Sequence, residues 1–194
     1  MMTKEFFSTA LTFFLVMDAL GTIPKYLDLL HNFERSKWKL ICYRELLIAF
    51  GIMIIFFYLG ELFLVLLGVS TSTVHISGGI ILLLISIRLI FPQEDKKESW
   101  VPGKHIVVPI ATPIIASPSL FAAIMIYTHS ELSNGTVFIA LAVAWFVSAI
   151  IYLFAVPLEN RLKESGLNAC QRLMGLLVAL IAVQKLLQGI QEIF

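Results

Sequence analysis

Long uninterrupted apolar runs dominate this chain and leave it few folds. They fall at about residues 5–30, 42–67, 71–91, 105–128, 135–157 and 169–191, separated by short polar segments. A helix needs about 20 apolar residues to cross the hydrocarbon core of a bilayer, and each run reaches that length. Stretches such as Ile80-Ile81-Leu82-Leu83-Leu84-Ile85 are continuous, whereas a membrane β-barrel alternates apolar and polar residues in short segments. The prediction is an all-α polytopic bundle of six transmembrane helices in a bacterial-type inner membrane, a single transmembrane domain over residues 1–194. Only 14% of the 194 residues are charged and 59% are hydrophobic, against about 25% charged in a soluble domain. Six spans and their connections consume the length, so no second domain fits. The run Phe6 to Met17 is short enough for a signal-peptide core, but Glu5 offsets Lys4 and Asp18 follows without a small-x-small cleavage site. It is read as a retained first span.

Basic residues set the expected orientation. Arg35, Lys37 and Lys39 lie in the first loop, Lys96, Lys97 and Lys104 in the third, and Arg161 and Lys163 in the fifth; the second and fourth loops carry none. By the positive-inside rule loops one, three and five face the cytoplasm and both termini face outward. The net charge of +1 gives no field that would attract nucleic acid.

Self-comparison reveals paired halves, a first repeat at about 1–92 and a second at about 105–194, joined by a cytoplasmic linker at about 93–104. The third run, His75-Ile76-Ser77-Gly78-Gly79-Ile80-Ile81-Leu82, ends in Arg88-Leu89-Ile90; the sixth, Arg172-Leu173-Met174-Gly175-Leu176-Leu177, ends in Lys185-Leu186-Leu187. The first run is interrupted by Asp18-Ala19-Leu20-Gly21-Thr22-Ile23-Pro24, and the fourth by Pro109, Pro113 and Ser117-Pro118-Ser119. Proline removes a backbone donor and clashes with the preceding turn, so helices 1 and 4 are expected to break at membrane depth. Broken backbone is tolerated there only when buried in protein or lining a wet cavity. Three spans per half is an odd number, so the halves insert with inverted topology, and interrupted segments in corresponding positions of inverted halves point to a midplane transport site.

With these motifs in this order the chain resembles the MarC family of multiple-antibiotic-resistance-related inner-membrane proteins over nearly its whole length. The carrying residues are Asp18-x-x-Gly21-x-x-Pro24, Ser77-Gly78-Gly79-Ile80-Ile81-Leu82, Val108-Pro109-Ile110-Ala111-Thr112-Pro113 with Ala116-Ser117-Pro118-Ser119, and Arg172-Leu173-Met174-Gly175 through Gln184. Ala19 stands where the family usually has proline, and Ser117 and Ser119 where it has glycines. The resemblance implies a six-span inner-membrane protein and, by analogy with amino-acid exporter superfamilies, a transporter of small solutes.

Asp18 is the sharpest single residue, since an acid at membrane depth costs roughly 2.5–3.5 kcal/mol on insertion scales and must find a partner. It either caps the helix that restarts after the break, binds a cation, proton or substrate amine near Gly21 and Pro24, or forms an ordinary buried pair. Thr22, Thr112, Ser117 and Ser119 add hydroxyls to this candidate substrate or ion site, beside Pro113 and Pro118. Gly78, Gly79 and Gly175 are expected to permit close helix contact. His75 and Glu61 are expected near the outer boundary, while Arg44, Arg88 and Arg172 snorkel at the cytoplasmic one. Lys185 falls within the sixth span, where a charge must be paired or wet; Glu61 is a candidate partner. Cys42 and Cys170 are packing residues, outside any metal spacing.

Intramembrane hydrolysis needs a nucleophile with its base, paired acids or an HExxH helix, and none is written here. Phosphate-binding loops are also lacking, so the chain is not expected to be an enzyme or to drive transport with ATP, and no cofactor or metal is called for. The reading is a secondary transporter or exporter of a small polar solute resembling a neutral amino acid. The partners this admits are the lipid bilayer, that solute with its coupling ion, and a second copy of the chain. The alternative is a non-transporting membrane scaffold or accessory subunit, whose helix breaks are packing devices.

Overall fold

A computed structural model describes residues 2–30, 33–68, 70–91, 115–128 and 132–193. These are helical, with no strand among them: α1 (Met2–Met17), α2 (Ile23–Leu30), a 3-10 turn (Arg35–Lys37), α3 (Trp38–Leu67), α4 (Thr71–Ile90), α5 (Pro118–Thr128), α6 (Asn134–Leu153) and α7 (Ala155–Gln191). Among the described residues four helical stretches are long and apolar enough to cross a membrane: Trp38–Gly60, Ser72–Ile90, Asn134–Leu153 and Ser165–Gln191. The two apolar helices that fall short, Glu5–Met17 and Ser119–Thr128, belong to the two runs that carry the breaking motifs. An apolar face needs a solvent that accepts it. Leu47, Ile55, Leu84, Phe146 and Leu180 all project outward, a surface that in water would mark an aggregation or interaction site and that hydrocarbon accommodates.

Helix ends follow local chemistry. Ser70 and Ser133 cap α4 and α6, their hydroxyls accepting the amides of Thr73 and Thr136 at 3.3 Å each. Gly68 ends α3 at φ 62°, the left-handed conformation that closes a helix at least cost in glycine. α7 is two helices joined end to end across Lys163, whose φ of 53° and ψ of 174° are non-helical; the sixth run belongs to the second of them, and the interruption falls where the sequence predicts the fifth loop.

Helix pairing is regular. α4 and α7 form the most extensive pair; α1 packs on α6 and α3 on α5, while α4 meets α5 and α7 meets α1. The α4–α7 pair is antiparallel, because Ser72 and Ile76 approach Gly189, Gly79 approaches Ala182 and Leu186, and Leu89 and Ile90 approach Gly175. Lipid tails are as apolar as leucine, so close packing of small residues carries such interfaces. A Cβ at Gly79 would lie 2.9 Å from the Ala182 carbonyl, one at Gly175 3.0 Å from the Ile90 amide, and one at Gly189 2.8 Å from the Ser72 carbonyl. Gly78 instead faces Ile126 of α5. Fully buried Phe13, Met53, Leu82, Ile124 and Leu141 fill the centre from α1, α3, α4, α5 and α6.

Candidate functional site

The first break is built by Asp18. α1 stops at Met17, and Asp18 takes φ 46°, a region that aspartate tolerates better than most residues. Its buried carboxylate accepts the Gly21 amide at 3.2 Å through Oδ1 and Gln171 Nε2 of α7 at 2.9 Å through Oδ2. Its carbonyl accepts the Thr22 amide at 3.1 Å and the Thr22 hydroxyl at 2.9 Å. The Thr22 proton being used there, the Tyr152 hydroxyl donates to Thr22 Oγ1 across 2.8 Å. Pro24 lies in the first turn of α2, where a missing amide leaves no bond unmade. Gly21 has no room for a side chain, since a Cβ would lie 2.5 Å from Asp18 Oδ2 and 2.6 Å from Gln171 Cδ.

The start of α5 repeats this chemistry. Ser117 precedes α5, its Oγ accepting the Leu120 amide at 3.2 Å and its carbonyl the Phe121 amide at 3.2 Å. At Asp18 and at Ser117 alike a side-chain oxygen accepts the amide three residues on, and the same residue's carbonyl accepts the amide four residues on. Pro118 opens α5, the position where proline is preorganised for a helix, and Ser119 follows half-buried. Thr112 and Pro113 lie outside the described residues.

A buried polar cluster extends from the first break. Tyr152 of α6 meets Tyr26 of α2 with ring centroids 5.0 Å apart, and Cys42 and Glu45 of α3 lie within electrostatic range of Tyr26. Glu45 is wholly buried; its Oε1 accepts Arg44 Nη2 at 2.7 Å and Nε at 3.0 Å, while Oε2 and Tyr26 Oη make no hydrogen bond among the described residues. The sequence reading passed over Glu45, Gln171, Tyr26 and Tyr152. An acid inside an apolar run singled out Asp18, and the same rule applies to Glu45; its neighbour Arg44, read as a boundary residue, concealed it.

The open space lies elsewhere. A cavity of about 610 Å³ sits between α1, α4, α5 and α7, lined by Glu5, Ser8, Thr9, His75, Tyr127, Gln184, Lys185, Gln188 and Glu192 among others, and by neither Asp18 nor Ser117. His75 is buried, its Nδ1 2.8 Å from Glu192 Oε1, which ties the start of α4 to the end of α7. Lys185 Nζ stands 4.8 Å over the centre of the Tyr127 ring, and the Tyr127 hydroxyl donates to Thr12 at 3.1 Å. The side chain of Glu61, the partner considered for Lys185, is outside the described residues. Arg88 and Arg172 are exposed, Cys42 is buried and Cys170 half-buried, both as free thiols. No three His, Cys, Asp or Glu side chains among the described residues group as a metal site.

The chain is similar to known proteins over nearly its whole length. Residues 3–194 match the MarC family integral membrane proteins. The UPF0056 inner membrane protein YhgN of Escherichia coli (strain K12) is 38% identical over 191 residues, 97% of either chain. A UPF0056 membrane protein of Buchnera aphidicola subsp. Schizaphis graminum is 36% identical over 98% of either chain, and one of Methanocaldococcus jannaschii is 27% identical over 92% of either chain. No solved structure matches the chain significantly. An all-helical chain with several membrane-crossing helices, matched from end to end by such proteins, belongs to the MarC family of integral membrane proteins.

Proposed function

We propose that the protein is a secondary transporter that moves a small polar solute, of the size and character of a neutral amino acid, across the inner membrane, and that it is not an enzyme. The observation that carries this reading is the 610 Å³ cavity lined largely by polar and charged groups within an otherwise apolar bundle. A lipid-embedded chain has little reason to keep such a space dry and structural, because polar groups at membrane depth must be wet or paired.

The proposed architecture is six spans in two inverted repeats: α1 with α2, α3 and α4 against α5, α6 and α7. Exchanging the repeats, with α2 set against α5, turns the α4–α5 contact into α7–α2 and leaves α4–α7 paired with itself. The matching caps at Asp18 and Ser117 support the same exchange. So do the glycine contacts, since Gly79 meets Leu186 and Gly175 meets Leu89, leucines that follow Lys185 and Arg88 respectively. With loops one, three and five cytoplasmic, the cavity opens outward, and the Asp18–Gln171 and Thr22–Tyr152 bonds seal the cytoplasmic half. Rocking of one repeat against the other then exposes the solute on the other side.

The scaffold reading has one observation in its favour: both breaks are satisfied as helix caps, so neither demands a ligand. Flux of labelled neutral amino acids and monovalent cations into proteoliposomes separates the two. Transport predicts flux in the native chain that Ser8→Trp abolishes by filling the cavity. It also predicts that Asp18→Asn, which keeps an acceptor for the Gly21 amide, separates a cap from an ion site: retained flux makes Asp18 a cap, lost flux at matched insertion makes it a ligand. Absence of flux across the panel from folded protein supports the scaffold.

A further inference from the structure

We infer that Lys185 is a carboxylate-binding residue at the inner end of the outward cavity, and that the solute it takes is a small monocarboxylate or zwitterion. This rests on reading the cavity as the solute vestibule proposed above. Lys185 is a cation within the sixth span that stands over a π-face and lies within electrostatic range of Glu192 without forming an ion pair with it. No carboxylate among the described residues forms an ion pair with it, and the Tyr127 ring beneath Nζ at 4.8 Å holds the ammonium by its quadrupole. A ring engages one side of an ammonium that has three donors. Lys185 lines the cavity, so an anion that enters this space can reach the remaining donors.

The surrounding groups narrow the ligand. Tyr127 has its hydroxyl committed to Thr12, so the ring is fixed and serves as a platform. Gln184 and Gln188, on the same helix as Lys185 and lining the same space, offer carboxamide donors suited to the second oxygen of a carboxylate. Two acids also line the cavity: Glu5 is exposed, and Glu192, paired with His75, is 37% exposed, while Lys185 is only partly accessible. The charge pattern is therefore a cation within and acids toward the opening. A dianion such as phosphate meets one lysine and two carboxylates and is disfavoured by like-charge repulsion. A zwitterion places its carboxylate on Lys185 and its ammonium toward Glu5 and Glu192, in a space within the usual range for small-molecule pockets.

The test titrates the full-length chain in lipid nanodiscs with four probes: glycine, acetate, ethanolamine and inorganic phosphate. Glycine and acetate are expected to bind, and ethanolamine and phosphate at least roughly tenfold more weakly, ethanolamine because it lacks the charge-assisted hydrogen bond of a carboxylate and phosphate because Glu5 and Glu192 repel its second charge. Lys185→Gln is expected to weaken glycine and acetate by roughly tenfold or more, and Lys185→Arg to hold both within a few-fold. A second measurement needs no variant: acetate slows acylation of Lys185 in the native chain, read on the Lys185 peptide by mass spectrometry. Failure of all four probes to bind, competition by ethanolamine equal to that of acetate, or unprotected Lys185 overturns the assignment. Acetate binding at Lys185 in a chain that shows no flux sinks the transport reading and leaves the site standing. Flux that Lys185→Gln leaves intact, without protection, sinks the site alone.

Discussion

Replacing Gly79 by alanine tests the packing of the α4–α7 pair. The new Cβ would lie 2.6 Å from Leu186 Cγ and 2.9 Å from the Ala182 carbonyl oxygen, where ordinary contact begins at 3.4 Å. The leucine side chain can turn aside; the carbonyl belongs to α7 and cannot. The helices must therefore part locally by 3.4 − 2.9 = 0.5 Å, and a gap of that size forfeits about a quarter of the dispersion well for each contact it opens. Overpacking of this kind costs about 1–3 kcal/mol. Alanine also improves on glycine in a helix by about 1 kcal/mol, which blurs a single measurement. Gly51 isolates that gain, because a Cβ there meets nothing within 4 Å. Unfolding in mixed micelles of rising SDS fraction, followed by circular dichroism, should place Gly79→Ala about 1–3 kcal/mol below Gly51→Ala, with Gly51→Ala at or above the native chain. Equal stability of the two variants would falsify the claim that close approach sets this interface. Gly79→Ala and Gly175→Ala together should cost less than their sum, since helices already parted admit the second methyl more easily.

Tyr152→Phe removes the bond between Thr22 and α6 and should cost about 1 kcal/mol; Thr22→Val also removes the bond to the Asp18 carbonyl and should cost more, and adding Tyr152→Phe to it should cost little further, a coupling that a double-mutant cycle on the same unfolding assay reads. Arg44→Met leaves the buried Glu45 carboxylate uncompensated and should cost about 2–4 kcal/mol, discounted from the range for a broken buried pair because the guanidinium is partly exposed. Adding Glu45→Met should recover most of the loss, and an additive result refutes the pairing. Ser117→Ala should cost about 1 kcal/mol as a lost cap. Asp18→Ala should cost more, about 2 kcal/mol, because Gln171 also loses its acceptor; equal losses would place no weight on the α7 contact.

Much of the fold is legible in the sequence because the bilayer imposes one requirement on every span. Hydrocarbon offers no hydrogen bonds, so an apolar run of sufficient length is a helix, and four of the six runs contain helices of crossing length. The stop of α1 before Asp18 and the start of α5 after Ser117 are legible for a related reason: a capping oxygen and a nearby proline act locally, and nothing distant is needed to predict them. The interruption at Lys163 is legible as the fifth loop, whereas the short helix ahead of it is not, because its charged residues Glu159 and Arg161 punctuate a hydropathy reading.

The cavity and its charged groups belong to the tertiary structure. The motif that announced a site, Asp18 with Gly21 and Pro24, does not line the cavity, whereas Lys185, Tyr127, His75 and Glu192 come from three helices that only the assembled bundle brings together. Glu45 and Gln171 likewise acquire meaning from what they face. Local sequence sets backbone hydrogen bonding, and therefore where helices run and where they stop. Which polar side chains meet across helices depends on helix rotation and register. In lipid these are fixed by the close approach of residues such as Gly79, Gly175 and Gly189 to a neighbouring helix, a contact that no single span specifies.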